Sequence, residues 1–262
     1  MRSLRFVLQI FGILVICISS AVANPSWSIP IFVYHRFDPL TSGPMTIRTT
    51  VLAEQLAWLK AHDVTVLPLH EVVDKFKNGK IPIGLPAVVL TADDGHLSVY
   101  SEMYPLIRRY GVHVTLFIYP SAISNAKYAL TWEELEEMVK SGLIDVQSHT
   151  YWHPNFDIER RHLAPEAYAA FVKTQLFRSR DRLEERLGIK VDLLAWPFGI
   201  SDAELKRQAA EAGYVAAFSI DRKPLRAGAD VYALPRYQIT DADRGERFAA
   251  LVLSSNRQNV PQ

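Results

Sequence analysis

Residues 87–95, Ala87-Val88-Val89-Leu90-Thr91-Ala92-Asp93-Asp94-Gly95, hold the first structural clue in this chain of 262 residues. Six small or apolar residues run without a helical period, then stop at two adjacent carboxylates and a glycine. A short run of that kind, bounded by a turn signal, reads as a strand buried on both faces, as in parallel sheets. Outward from it the pattern alternates. Strands are expected at Pro30–His35, Val64–Leu67, Val112–Tyr119, Leu143–Ser148, Val191–Trp196, Tyr214–Ile220 and Tyr232–Ile239. Helices are expected at Val51–His62, Glu71–Lys77, Leu97–Tyr110, Thr131–Ser141, Pro165–Leu187, Ala203–Ala212 and about Arg244–Leu253. Leu52, Leu56 and Leu59 share one helical face. Thr131 with Glu134 makes a capping box, and Gly142 closes that helix. Strand–helix alternation with about eight strands predicts an α/β fold, an irregular (β/α) barrel of about seven or eight mostly parallel strands. An open doubly wound sheet is the competing architecture. No glycine-rich phosphate loop follows the first strand, which takes support from its nucleotide-binding versions.

The composition fits one large globular domain: 49% of residues are hydrophobic and 22% charged, and a single α/β domain can reach roughly 250 residues. A net charge of +1 creates no field that would draw nucleic acid or an anionic membrane. The N-terminus reads as an export signal. Arg2 and Arg5 precede an apolar run from Phe6 to Ile18, and Ala21-Val22-Ala23 offers a small-residue cleavage site. The run is shorter than the roughly 20 apolar residues of a membrane span. Residues 1–23 are therefore expected to leave, with 24–262 as the mature, secreted or periplasmic domain lacking a stable span. Cys17, the one cysteine, would leave too. The mature chain would then have no thiol, so any metal must be held by His, Asp or Glu.

In barrels of this kind, chemistry gathers at the C-terminal ends of strands. Those ends carry Tyr34-His35, Asp93-Asp94-Gly95, Ser148-His149 with His153 four residues on, and Trp196-Pro197-Phe198-Gly199. Gly95 lets the chain turn so that two neighbouring carboxylates can enter one cleft, although Asp-Asp-Gly also suits an Asx-turn or a helix N-cap. His149 and His153 could chelate one ion from a single helical turn, or be unrelated. Two imidazoles and one carboxylate would leave coordination positions open, the pattern of a catalytic rather than a structural site.

The segments TADDG (91–95), SHTYWH (148–153) and WPFG (196–199), in that order and spacing, resemble the NodB-homology polysaccharide deacetylases of carbohydrate esterase family 4. The resemblance spans nearly the whole mature chain. It is closest to the branch of biofilm poly-β-1,6-N-acetylglucosamine N-deacetylases, whose catalytic histidine follows an aromatic residue in an N-terminal strand, as His35 follows Tyr34. The resemblance implies Asp93 as general base, His35 as general acid, and Asp94, His149 and His153 as ligands of a divalent metal. Zinc is the default, and cobalt, nickel or iron are admissible. Pro197, Phe198 and Gly199 would line the acetyl pocket, with a backbone N–H near Phe198 facing the oxyanion. Trp152 and Trp196 would stack on sugar or pack in the core. Two positions depart from the family pattern. Ala92 stands where phenylalanine is usual, and Ala195 where many relatives carry an arginine that orients the base. Arg236, near the end of the last strand, could supply that charge, or be an ordinary surface ion pair. The implied reaction is release of acetate from an extracytoplasmic N-acetylglucosamine polymer. An O-acetyl esterase on xylan or peptidoglycan and a non-catalytic glycan-binding protein are the alternatives.

Overall fold

The computed structural model describes residues 27–80 and 86–255; the expected export signal lies outside them. Twelve strands occur in chain order among the described residues: β1 (Ser28–Ile29), β2 (Ile31–Tyr34), β3 (Arg36–Asp38), β4 (Thr46–Arg48), β5 (Thr65–Val66), β6 (Ala87–Asp94), β7 (Val114–Ile118), β8 (Ile144–Ser148), β9 (Leu193–Ala195), β10 (Ala216–Phe218), β11 (Leu225–Arg226) and β12 (Tyr237–Gln238). The helices are α1 (Thr49–Ala61), α2 (Leu69–Lys77), α3 (Tyr104–Tyr110), α4 (Trp132–Lys140), α5 (Phe156–His162), α6 (Pro165–Leu187), α7 (Ala203–Glu211) and α8 (Glu246–Ser255).

The main sheet runs β10-β9-β8-β7-β6-β2-β12, with β5 beside the start of β6. Every pairing in it is parallel. The sheet curls into a half-barrel. Leu234, just before β12, bridges to Phe218 of β10 while β12 itself pairs with β2, so the last segment reaches across the gap between the two edges.

Residues alternate between two cores, as a period of two demands. Val88, Leu90 and Ala92 face the helical layer with Leu116, Val146 and Leu194. Ala87 and Val89 face the interior with Phe117, Leu193, Ala216, Phe218 and Leu234. Burial on both faces explains why β6 reads as a continuous apolar run. Helix α2 adds Leu69, Val72 and Val73 to the interior cluster and closes the N-terminal end. There His70 bridges Asp145, at the start of β8 (3.2 Å), and Asp192, just before β9 (2.8 Å).

The capping box at Thr131 and Glu134 is present, and α6 keeps the limits set by Pro165 and Gly188. Several expectations change: the short strands β1, β3, β4 and β11 were not expected, and the strands expected at 191–196 and 214–220 shrink to Leu193–Ala195 and Ala216–Phe218. The helix expected from Leu97 is a π-turn over Val99–Met103 before α3. The last strand is shortened to Tyr237–Gln238. Helix α5, capped by Asn155, was not expected.

Candidate active site

Asp93 is the last interior-facing residue of β6 and is buried. Strict alternation would send Asp94 into the helical layer. Instead its backbone turns left-handed (φ 76°), a conformation aspartate tolerates better than most residues. Both carboxylates therefore reach one cavity. Gly95 follows, also left-handed. A Cβ there would lie 2.9 Å from Ile118 Cδ1, so the turn needs glycine for space as well as for angle.

His149 is delivered by the residue after β8. Its Nδ1–H donates to the Ala195 carbonyl (2.7 Å); a carbonyl can only accept, so the tautomer is fixed and the Nε2 lone pair is free. His153 does not share a helical turn with it, contrary to the expectation. Thr150 and His153 are both left-handed (φ 65° and 63°), Pro154 prevents helix, and the His153 N–H donates to Thr150 Oγ1. The loop nevertheless brings the two rings edge to face, 4.6 Å apart.

Asp94 Oδ1 lies 3.6 Å from His149 Nε2 and 3.5 Å from His153 Nε2. All three ligand atoms fall within 4.8 Å of one another. Donors held about 2.0–2.1 Å from a four-coordinate zinc stand about 3.4 Å apart, so the donor set and its spacing fit a divalent cation. Burial lowers His149 to about 3 and also lowers His35 and His153, which leaves the imidazoles neutral at pH 7, as ligation requires.

Arg236 is fully buried, so it is no surface ion pair. Its Nη1 and Nη2 donate to the two oxygens of Asp93 at 2.8 and 2.7 Å, Nη1 also donates to Thr91 Oγ1, and Nε to the Ser219 carbonyl. The guanidinium sits between Phe117 and Phe218, 5.1 and 5.9 Å from the ring centres. Burial opposes the charge of Asp93, yet Arg236, with His149 beyond it, holds the carboxyl at about 2. The second oxygen of Asp93 stands 3.8 Å from His149 Nε2.

Asp93, Asp94, His149 and His153 line a cavity of about 500 Å³ together with His35, and Arg236 lies behind Asp93 outside that lining. Trp196 lines it too, but its ring is buried against Phe156 and its N–H donates to the Tyr232 carbonyl. Phe198 stands at the mouth, 56% exposed, with its ring against His153 (4.8 Å). Pro197 and Gly199 shape the turn beneath it, and a Cβ on Gly199 would lie 2.7 Å from Ile220 Cγ1. Trp152 is half exposed, packs on Phe171 (5.6 Å), and is not among the residues lining this cavity. Arg36, Met45, Tyr119, Ile220 and Gln238 complete the lining. Sequence reading missed them, although Tyr119 directly follows β7 and the strand-end rule applied there as well.

A parallel half-barrel with a cation-type donor set at its strand ends, beside an ionised carboxylate, is the architecture of a barrel hydrolase. Residues 82–217, over half of the chain, match the polysaccharide deacetylase family, and the chain belongs to that family. Among similar curated proteins is the poly-β-1,6-N-acetyl-D-glucosamine N-deacetylase of Staphylococcus aureus (strain MRSA252), 27% identical over 80% of this chain and 73% of the relative. The corresponding Staphylococcus epidermidis protein is 24% identical over 79% of this chain and 78% of its own length. Of solved structures, IcaB from Ammonifex degensii superposes with a TM-score of 0.74 at 26% identity, covering 86% of this chain and 97% of that one. The Streptococcus pyogenes deacetylase PplD shares the fold with a TM-score of 0.77 at 21% identity, over 87% and 99% of the two chains.

Proposed function

We propose that this enzyme removes N-acetyl groups from an extracytoplasmic polymer of N-acetylglucosamine, with the β-1,6-linked polymer as its substrate, using one divalent cation, zinc by default. The observation that carries the reading is the pair of neighbouring carboxylates with different partners: Asp94 faces the two imidazoles, whereas Asp93 is held by Arg236. The family match and the S. aureus relative support the substrate class. Residues 1–23 act as the export signal and 24–262 as the deacetylase domain. Among the described residues no helix is long and apolar enough to cross a membrane.

Asp94, His149 and His153 hold the cation, which when bound lowers the pKa of water and polarises a carbonyl. Asp93, ionised throughout the working range, accepts the proton of the attacking water. Arg236 fixes the plane of that carboxylate, so proton transfer begins from one geometry. The Phe198 amide, in the turn over Pro197 to Gly199, donates to the oxyanion, a role typically worth about 3 kcal/mol. His35 rests neutral because burial lowers its pKa, although the facing Asp93 and Asp94 carboxylates favour its protonated form. It takes up the water-derived proton that Asp93 has accepted and passes it to the departing amine, which returns Asp93 to its ionised state.

Acetate release from β-1,6 and β-1,4 N-acetylglucosamine oligomers, peptidoglycan and acetylxylan, with and without chelator, tests the reading. Chelator-sensitive release from the β-1,6 oligomer is expected; release from none of them would end it. Asp93→Asn should retain bound metal yet lose about 10²–10⁴ in rate, and wild-type activity in that variant would remove the base assignment. His149→Ala should lose metal by elemental analysis. His35→Ala should suppress amide hydrolysis far more than ester hydrolysis, because an amine is the poorer leaving group.

A further inference from the structure

The mouth of the cavity has an unbalanced charge. Arg36 follows His35 directly, is exposed, and lines the cavity beside Met45, Tyr119, Phe198 and Gln238, none of which is charged. No carboxylate lies within ion-pair distance of its guanidinium among the described residues, whereas its charge is felt at Asp94, His96 and Tyr119. The two carboxylates of the cavity are already engaged. Asp93 is gripped at both oxygens by Arg236, and Asp94 faces the two imidazoles. A sugar seated at this mouth therefore meets one unpaired cation and, among the residues lining the cavity, no free carboxylate.

Each turnover consumes an amide and a water and yields acetate and an amine. Amines beside electronegative carbon titrate near 8, as α-amino groups do (about 7.7–8.0), so at pH 6.5 the product units are mostly ammonium ions. A polymer that has reacted once carries its own positive charge next to the following acetyl group.

We infer that Arg36 selects against acetyl groups whose neighbouring sugar has already lost its own, so that the product is deacetylated at spaced rather than adjacent units. This rests on the proposed glycan deacetylation and adds the rule by which positions along the chain are chosen. The size of the effect is roughly fivefold in kcat/KM, as expected for like charges ~10 Å apart in partly screened surroundings.

The test uses two β-1,6-linked pentasaccharides, one fully N-acetylated and one with a glucosamine beside a central N-acetylated unit. The ratio of kcat/KM for acetate release is measured for wild type, Arg36→Gln and Arg36→Lys, and both oligomers are titrated calorimetrically. Wild type should favour the neutral oligomer about fivefold at pH 6.5 and lose the preference at pH 9 or in high salt. Arg36→Gln should bring the ratio near one, and Arg36→Lys should keep it. A ratio unchanged in Arg36→Gln, or a wild type that prefers the cationic oligomer, overturns the inference. If wild type releases no acetate from either oligomer, the proposed function fails, and the calorimetric ratio then decides on Arg36: equal affinities, or no binding of either, overturn the inference too.

Discussion

Arg236 and Asp93 form a buried ion pair in which both carboxylate oxygens and all three guanidinium nitrogens are hydrogen-bonded. Such a pair is hard to damage by halves. Arg236→Met would leave Asp93 charged and unpaired in the barrel interior, which typically costs about 3–5 kcal/mol. Removing both charges with Asp93→Leu and Arg236→Met should restore much of that stability while abolishing activity. Denaturant unfolding of the single and double variants checks this, and a single variant within about 1 kcal/mol of wild type would refute it. At this scale the sequence was legible in part. Asp93, Asp94, His149 and His153 stand in short segments whose spacing was itself the signal. Arg236 lies 143 positions from Asp93, and its partner could be reached only through a resemblance. What puts them together is the docking of β12 on β2, a pairing that no local pattern encodes.

The turns carry the site, and two glycines separate their two requirements. Gly111 and Gly199 are both left-handed (φ 62° and 70°), but a Cβ on Gly111 meets nothing within 4 Å, whereas on Gly199 it would lie 2.7 Å from Ile220 Cγ1 and 3.1 Å from the Ile220 nitrogen. Gly111→Ala should cost only the conformational penalty, about 1–2 kcal/mol. Gly199→Ala should cost more, and should also lower kcat because the Phe198 turn must shift. Equal changes in Tm and unaltered kcat would show that the turn is not held by that contact. Element type was mostly readable, since β6, α4 and α6 carry their boundaries in apolar runs, caps and glycines. The π-turn at Val99–Met103 and the left-handed loop from Thr150 to His153 were not, because both depart from the regular periods on which sequence reading relies. Parallel alternation likewise pointed to the half-barrel, but not to how far the sheet would close.

Across the whole molecule, the end opposite the cavity is fastened by a titratable clasp. Burial disfavours charge on His70, yet hydrogen bonds to Asp145 and Asp192 outweigh it and raise the pKa to about 10. The unfolded value is near 6.5. The clasp is therefore fully stabilising below about pH 6.5 and fades as pH rises through 10. His70 is 39% exposed, so solvent screening limits its contribution to about 1 kcal/mol. The Tm difference between wild type and His70→Gln should shrink between pH 6.5 and pH 10; a constant difference would exclude the ion pair as its source. Cation binding should act on the same global equilibrium. At about a thousandfold above Kd it would add about 4 kcal/mol, read as a rise in Tm when zinc is returned to chelated protein and absent in His149→Ala.

The crossing of Leu234 to Gln238 over the open side of the sheet makes the site depend on a segment far downstream of its carboxylates. A chain cut before Leu234 would carry Asp93, Asp94, His149 and His153 but not the guanidinium that pairs with Asp93. Such a truncation is expected to forfeit both stability and acetate release, because it leaves a buried anion without its partner.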